Sequence, residues 1–95
     1  MQEDFVQAER FFLESLSRHR IAYKDDPLEL VQSINNLLIF YDSQNDDAQK
    51  YTYAQQLLQI YIDSYGEVDE DTLRARYDCG KLLLRLDRNE DALAE

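Results

Sequence analysis

The sequence predicts an all-α chain of antiparallel helix-turn-helix units, and three observations carry that expectation. Apolar residues recur at spacings of three and four over long stretches, as one face of a helix requires. Two glycines and one proline among 95 residues leave little material for the tight turns of an all-β fold. The same apolar pattern returns when the sequence is shifted by 42 positions, which is how stacked repeats announce themselves. At 11.3 kDa, 44% hydrophobic and 32% charged, residues 1–95 suit one small helical domain and are too apolar for disorder.

The first helix is expected over 4–23, where Phe5, Ala8, Phe12, Leu16, His19 and Tyr23 draw one stripe. Lys24 and Asp25 break it. Asp26, Pro27 and Glu29 then read as N-cap, first helical position and the closing residue of a capping box. The second helix, 28–43, carries Leu30, Ile34, Leu38 and Tyr41, widened by Val31, Leu37 and Phe40. So broad an apolar surface suits an element covered on two sides.

Residues 42–47 are a polar break rich in turn formers. The third helix, 48–65, shows Tyr51, Ala54, Leu58, Tyr61 and Tyr65, flanked by Leu57 and Ile60, and Gly66 supplies a left-handed stop. The acidic run Glu67–Asp71 places carboxylates at the start of the next helix, where the helix dipole favours them. That helix, 70–86, is expected to bury Leu73, Tyr77, Gly80, Leu83 and Leu84, with Cys79, Leu82 and Leu86 alongside. Asp87-Arg88-Asn89 reads as a break, and 90–95 as the opening turn of a fifth helix.

Twenty acidic residues against ten basic ones give a net charge of −10 and a pI near 4.4. Such a chain repels phosphate backbones and anionic lipid head groups, so neither nucleic acid nor a membrane surface is an expected partner. Cys79 is the only cysteine, which leaves no internal disulfide. The N-terminal segment lacks the basic-then-apolar order of a signal peptide. The longest apolar run, Leu37–Tyr41, is far too short for a membrane span. The expected location is the cytoplasm.

No catalytic constellation emerges. His19, the only histidine, falls on the apolar stripe and is expected to pack rather than react, and Cys79 reads as a small buried hydrophobe. Neither has the partners of a nucleophilic triad. A calcium loop starting at Asp42 needs glycine at 47 and glutamate at 53, but finds Asp47 and Tyr53; one starting at Asp63 ends on Arg74. No catalytic, metal or cofactor residue is therefore expected, and the chain is not expected to be an enzyme.

The 42-residue shift places Leu16 on Leu58, His19 on Tyr61, Tyr23 on Tyr65, Leu37 on Cys79 and Phe40 on Leu82, without a gap. Units of this pattern, seen best in Asp71–Tyr77 running on to Leu82–Leu93 and in Ser33–Tyr41, resemble tetratricopeptide repeats. The long period is similar to that of the kinesin-light-chain type. The family's small residue in the first helix of a unit matches Gly80 but meets Leu38 in the other copy. Its alanine opening the second helix matches Ala8 and Ala92 but meets Lys50.

The resemblance implies antiparallel hairpins stacked as a short right-handed α-solenoid. It also implies a non-enzymatic scaffold that holds a partner's peptide segment on its concave face. Carried over, the groove residues are Gln32, Asn35, Asn36, Ile39 and Asp42 from one helix, and Arg74, Tyr77, Asp78, Lys81 and Arg85 from the other. Asparagine amides both donate to and accept from a peptide backbone, and arginine holds carboxylates with paired bonds.

Arg74, Arg76, Lys81, Arg85 and Arg88 are half of all the basic residues, a local reversal of sign that favours an acidic ligand segment. Each candidate also has a plainer role. Asn35 and Asn36 equally fit an exposed helix face, and Arg74, Lys81 and Arg85 fit solvated helix charges. Tyr77 divides between core and groove, with the core favoured. Two rival functions are an acidic helical inhibitor imitating nucleic acid and a self-associating piece of a longer array. Homo-oligomerisation through uncapped ends is expected in the latter case.

Overall fold

Four α-helices form where the apolar spacing places them. The computed structural model describes the backbone of residues 2–94 and the side chains of residues 4–88. Helix α1 spans Gln2–Ala22, α2 Val31–Ser43, α3 Asp47–Tyr65 and α4 Glu70–Ala94, with no strand among the described residues. Each helix packs on the next in sequence; among the described residues no backbone contact joins α1 to α4. A flat body of 46 × 37 × 16 Å results.

The main core lies on α2, the element whose apolar surface is broadest. Ile34, Leu37 and Tyr41 are buried there between Leu16 of α1 and Leu57 of α3. Burying a side chain of this size stabilises the fold by about 1.5–3 kcal/mol. A smaller cluster joins α3 to α4 through Ala54, Cys79 and Leu82, with Leu38 of α2 leaning on it.

The entry to α2 differs from the expected capped helix. Pro27–Leu30 form a 3₁₀ turn, and the Asp26 side chain makes no cap bond. Only backbone closes the turn, with Glu29 N–H donating to the Asp26 carbonyl at 3.1 Å. Asp46, by contrast, caps α3 by accepting from the Gln49 amide at 3.2 Å. Between these elements Asn45 takes the left-handed conformation, with φ 56°, which asparagine tolerates better than most residues.

Gly66 stops α3 with φ 90° and ψ 171°. That is not the left-handed helical conformation but an extended one at positive φ that is open essentially to glycine alone.

Helix α4 departs most from expectation. It buries Thr72, Ala75, Cys79 and Leu82, while Leu73, Tyr77, Gly80, Leu83 and Leu84 face solvent. Small residues decide this: Ala54, Ala75 and Cys79 occupy the α3–α4 contact, where bulkier side chains would hold the helices apart. Gly80 plays no part in that approach, since a Cβ built on it meets nothing within 4 Å. Nor does the helix end at Leu86; it continues through Asp87, Arg88 and Asn89 to Ala94. None of those three is glycine or proline, and each costs at most about 0.7 kcal/mol in a helix interior. The turn expected to open a fifth helix is the end of α4, and its side chains lie outside the described residues.

Candidate binding groove

Helix α3 forms the floor of a groove whose walls are α2 and α4. Residues Lys50, Ala54, Leu38, Asp78, Lys81 and Arg85 surround a depression of about 180 Å³ that ends on Leu82. A second depression, about 230 Å³, adjoins it between Leu38, Ile39, Asp42 and Lys50. Ile39 and Asp42 lie three residues apart, and Asp78, Lys81 and Arg85 recur at three and four. Each set therefore forms a row on its helix.

Lys50 holds the centre. Its Nζ reaches Asp42 Oδ1 at 2.8 Å, and this hydrogen bond, with the attraction of the ammonium, holds the Asp42 carboxyl below the ordinary range. The opposite wall is looser. Lys81 Nζ stands 3.9 Å from Asp78 Oδ1, and Arg85 Nε stands 4.0 Å from Asp47 Oδ2. Both pairs are long and partly exposed, so they bind their cations weakly.

The expected site residues divide into two groups. Ile39, Asp42, Asp78, Lys81 and Arg85 come together around the depressions. Gln32, Asn35 and Asn36 sit further up α2 and line neither one; Gln32 Nε2 donates to Asn36 Oδ1 at 3.1 Å. Arg74 is held at the head of α4 by Glu70 at 3.3 Å and Asp71 at 3.8 Å. Tyr77 is not the core residue its spacing favoured. It is 66% exposed, with Lys81 Nζ 4.9 Å from its ring centre. Sequence reasoning left out Lys50, Leu38, Ala54 and Leu82. Lys50 did carry a signal, because the 42-residue shift sets it against Ala8 and Ala92.

Elsewhere the polar groups serve packing. His19 Nδ1 is hydrogen-bonded to the hydroxyl of buried Ser33, joining α1 to α2. Burial, and then the Asp78 charge, push the Cys79 thiol above its ordinary pKa, which suppresses thiolate chemistry. Another depression, about 430 Å³, lies between the head of α1 and the end of α2. On its wall Tyr41 Oη donates to Glu9 Oε2 at 2.7 Å. Burial and that bond both raise the Tyr41 pKa. Among the described residues no three His, Cys, Asp or Glu side chains gather as metal ligands, and no helix is long and apolar enough to cross a membrane.

No family model, no curated protein and no solved structure matches this chain.

Proposed function

We propose that the chain is a cytoplasmic, non-enzymatic scaffold of tetratricopeptide type that holds an acidic peptide segment of a partner protein in the α2–α4 groove. The observation that carries this reading is the convergence of Lys50, Lys81 and Arg85 on one depression in a chain of net charge −10. The two depressions are lined by three cations against the two carboxylates of Asp42 and Asp78, a local excess of positive charge in an acidic chain that favours ligands bearing carboxylates. Exposed Ile39 on its rim, 69% accessible, offers an apolar contact beside the charges.

Repeat stacking is supported by correspondences across the 42-residue shift. The His19–Tyr23 and Tyr61–Tyr65 ring pairs both have centroids 5.8 Å apart. Leu37 and Cys79 are both buried, as are Ser33 and Ala75.

A peptide array read with the labelled chain tests the reading. Acidic peptides are expected to be captured, and capture to weaken as salt rises. Lys81→Ala/Arg85→Ala is expected to cut affinity about tenfold or more, since hydrogen bonds to charged groups contribute about 1.5–3 kcal/mol each. Capture that is indifferent to this double substitution, or confined to neutral peptides, refutes it.

A further inference from the structure

The depression between the head of α1 and the end of α2 is walled by aromatic rings and carboxylates together. Phe40 and Tyr41 form a corner of it, with ring centres 5.3 Å apart and planes at 70°. Phe5 stands on the rim with 46% of its surface in water. At about 430 Å³ the space falls within the roughly 300–1,000 Å³ usual for small-molecule sites.

Two carboxylates, from Glu9 and Asp46, belong to the same wall. One oxygen of Glu9 accepts from Tyr41 Oη at 2.7 Å, and one of Asp46 accepts from the Gln49 amide at 3.2 Å. Burial first, then the Glu9 bond and the charges of Glu9, Tyr53 and Asp46, raise the pKa of that tyrosine, and no cation opposes them. Among the described residues no lysine or arginine lines the depression or pairs with either acid. Lys50, one turn after Asp46, turns to Asp42 instead.

A wall of this kind suits a cation that touches rings and carboxylates at once. Aromatic faces attract cations through their quadrupole, more strongly where water is excluded. Rings in place of oxygen ligands make it a poor seat for a hard metal ion. A primary ammonium is strongly hydrated and brings three donors, whereas the acceptors here are already partly spent on Tyr41 and Gln49. What remains is negative charge beside apolar surface, which a methylated ammonium matches.

We propose that this depression binds a methylated ammonium group, seated in the Phe40–Tyr41 corner beside Phe5, with Glu9 and Asp46 supplying the counter-charge. The net charge of −10 draws cations to the surface at large, and the rings decide where a methylated one stays. The site shares no lining residue with the two depressions between α2 and α4, so it stands or falls separately from the peptide groove.

Titration of the 95-residue chain with tetramethylammonium chloride, followed by NMR against matched sodium chloride, tests the proposal. The ring signals of Phe5, Phe40 and Tyr41 are expected to shift and saturate. The methyl signal of the ligand should move upfield, because ring currents shield protons held over aromatic faces. Glu9→Gln removes the charge but keeps an acceptor for the Tyr41 hydroxyl, and Phe5→Ala trims a half-exposed ring. Each is expected to weaken binding about tenfold with helical circular dichroism unchanged. Glu14→Gln, at an exposed position on another face of α1, is the control and should bind as the parent does. Choline and a trimethyllysine peptide separate the two sources of the group. Tighter binding of the peptide assigns the site to a methylated protein segment, and tighter binding of choline to a free small cation. Shifts that sodium chloride reproduces, an unmethylated lysine peptide bound equally well, or affinity indifferent to both Glu9→Gln and Phe5→Ala overturns the proposal.

Discussion

Lys50 Nζ and Asp42 Oδ1, 2.8 Å apart, tie the last turn of α2 to the first turn of α3 across the left-handed Asn45. Lys50 thereby lines both depressions between α2 and α4. It also fixes how Asp42 titrates. The Lys50 hydrogen bond first, then its charge, lower the folded-state pKa of Asp42. The contribution to stability is therefore present above the unfolded value of about 3.9 and is lost as pH falls through the folded one. A carboxyl titration by NMR is expected to place Asp42 below the ordinary aspartate range. In Lys50→Met it should return toward the ordinary range, and an unmoved titration would dissolve the pair.

Thr72 is fully buried at the head of α4, and its hydroxyl finds no hydrogen-bond partner among the described residues. An unmet buried hydroxyl costs about 1–3 kcal/mol. Thr72→Val keeps the shape and removes the polar atom. The expected result is a higher urea midpoint, by about 1 kcal/mol of stability, at one fixed dilute concentration. A lower midpoint would mean that the hydroxyl is satisfied in solution.

The existence of the helices and the central burial of α2 were legible in the sequence, because Leu30 through Tyr41 is apolar around most of a helix and can sit only between neighbours. The face of α4 was not legible. Leucine or tyrosine occurs at 73, 77, 82, 83, 84 and 86, so periodicity alone could not choose a side. The choice came from Ala54, Ala75 and Cys79, whose small size lets two helices close, a property of the pair rather than of either segment.

The same limit applies to the groove. Ile39, Asp42, Asp78, Lys81 and Arg85, expected from the resemblance, line one or other depression, but the resemblance could not tell that Gln32 would spend its amide on Asn36. Nor could it tell that Glu70 and Asp71 would hold Arg74. Lys50 was visible only as a departure from pattern.

Gly66 adopts φ 90°, ψ 171°, and its amide donates to the Ile62 carbonyl at 2.9 Å. A side chain there is strained whatever the space around it, by about 1–3 kcal/mol. Gly66→Ala is expected to lower the urea midpoint by that amount. Asn45→Gly, at the other positive-φ position, should lie within a few tenths of the parent, because glycine accepts that conformation freely. Equal effects at the two sites would contradict the assigned backbone.

Leu37 and Leu82 hold different halves of the molecule together. Leu37 is wholly buried among Leu16, Ile34, Tyr41 and Leu57, whereas Leu82 shares its cluster with the small Ala54 and Cys79. The α3–α4 contact thus offers less buried apolar bulk, and among the described residues α4 packs on α3 with only Leu38 of α2 added. Regions with few buried apolar contacts open first, so α4 amides should exchange with solvent deuterium faster than those of α2 in the dilute chain. Leu37→Ala should cost about 2–5 kcal/mol, a large share of the 5–15 kcal/mol a domain usually has, and should speed exchange in α1, α2 and α3 together. Leu82→Ala should speed exchange in α4 while leaving α2 protected. Uniform loss of protection in both variants would show that the four helices unfold as one unit, and the graded stability inferred from the two clusters would fail.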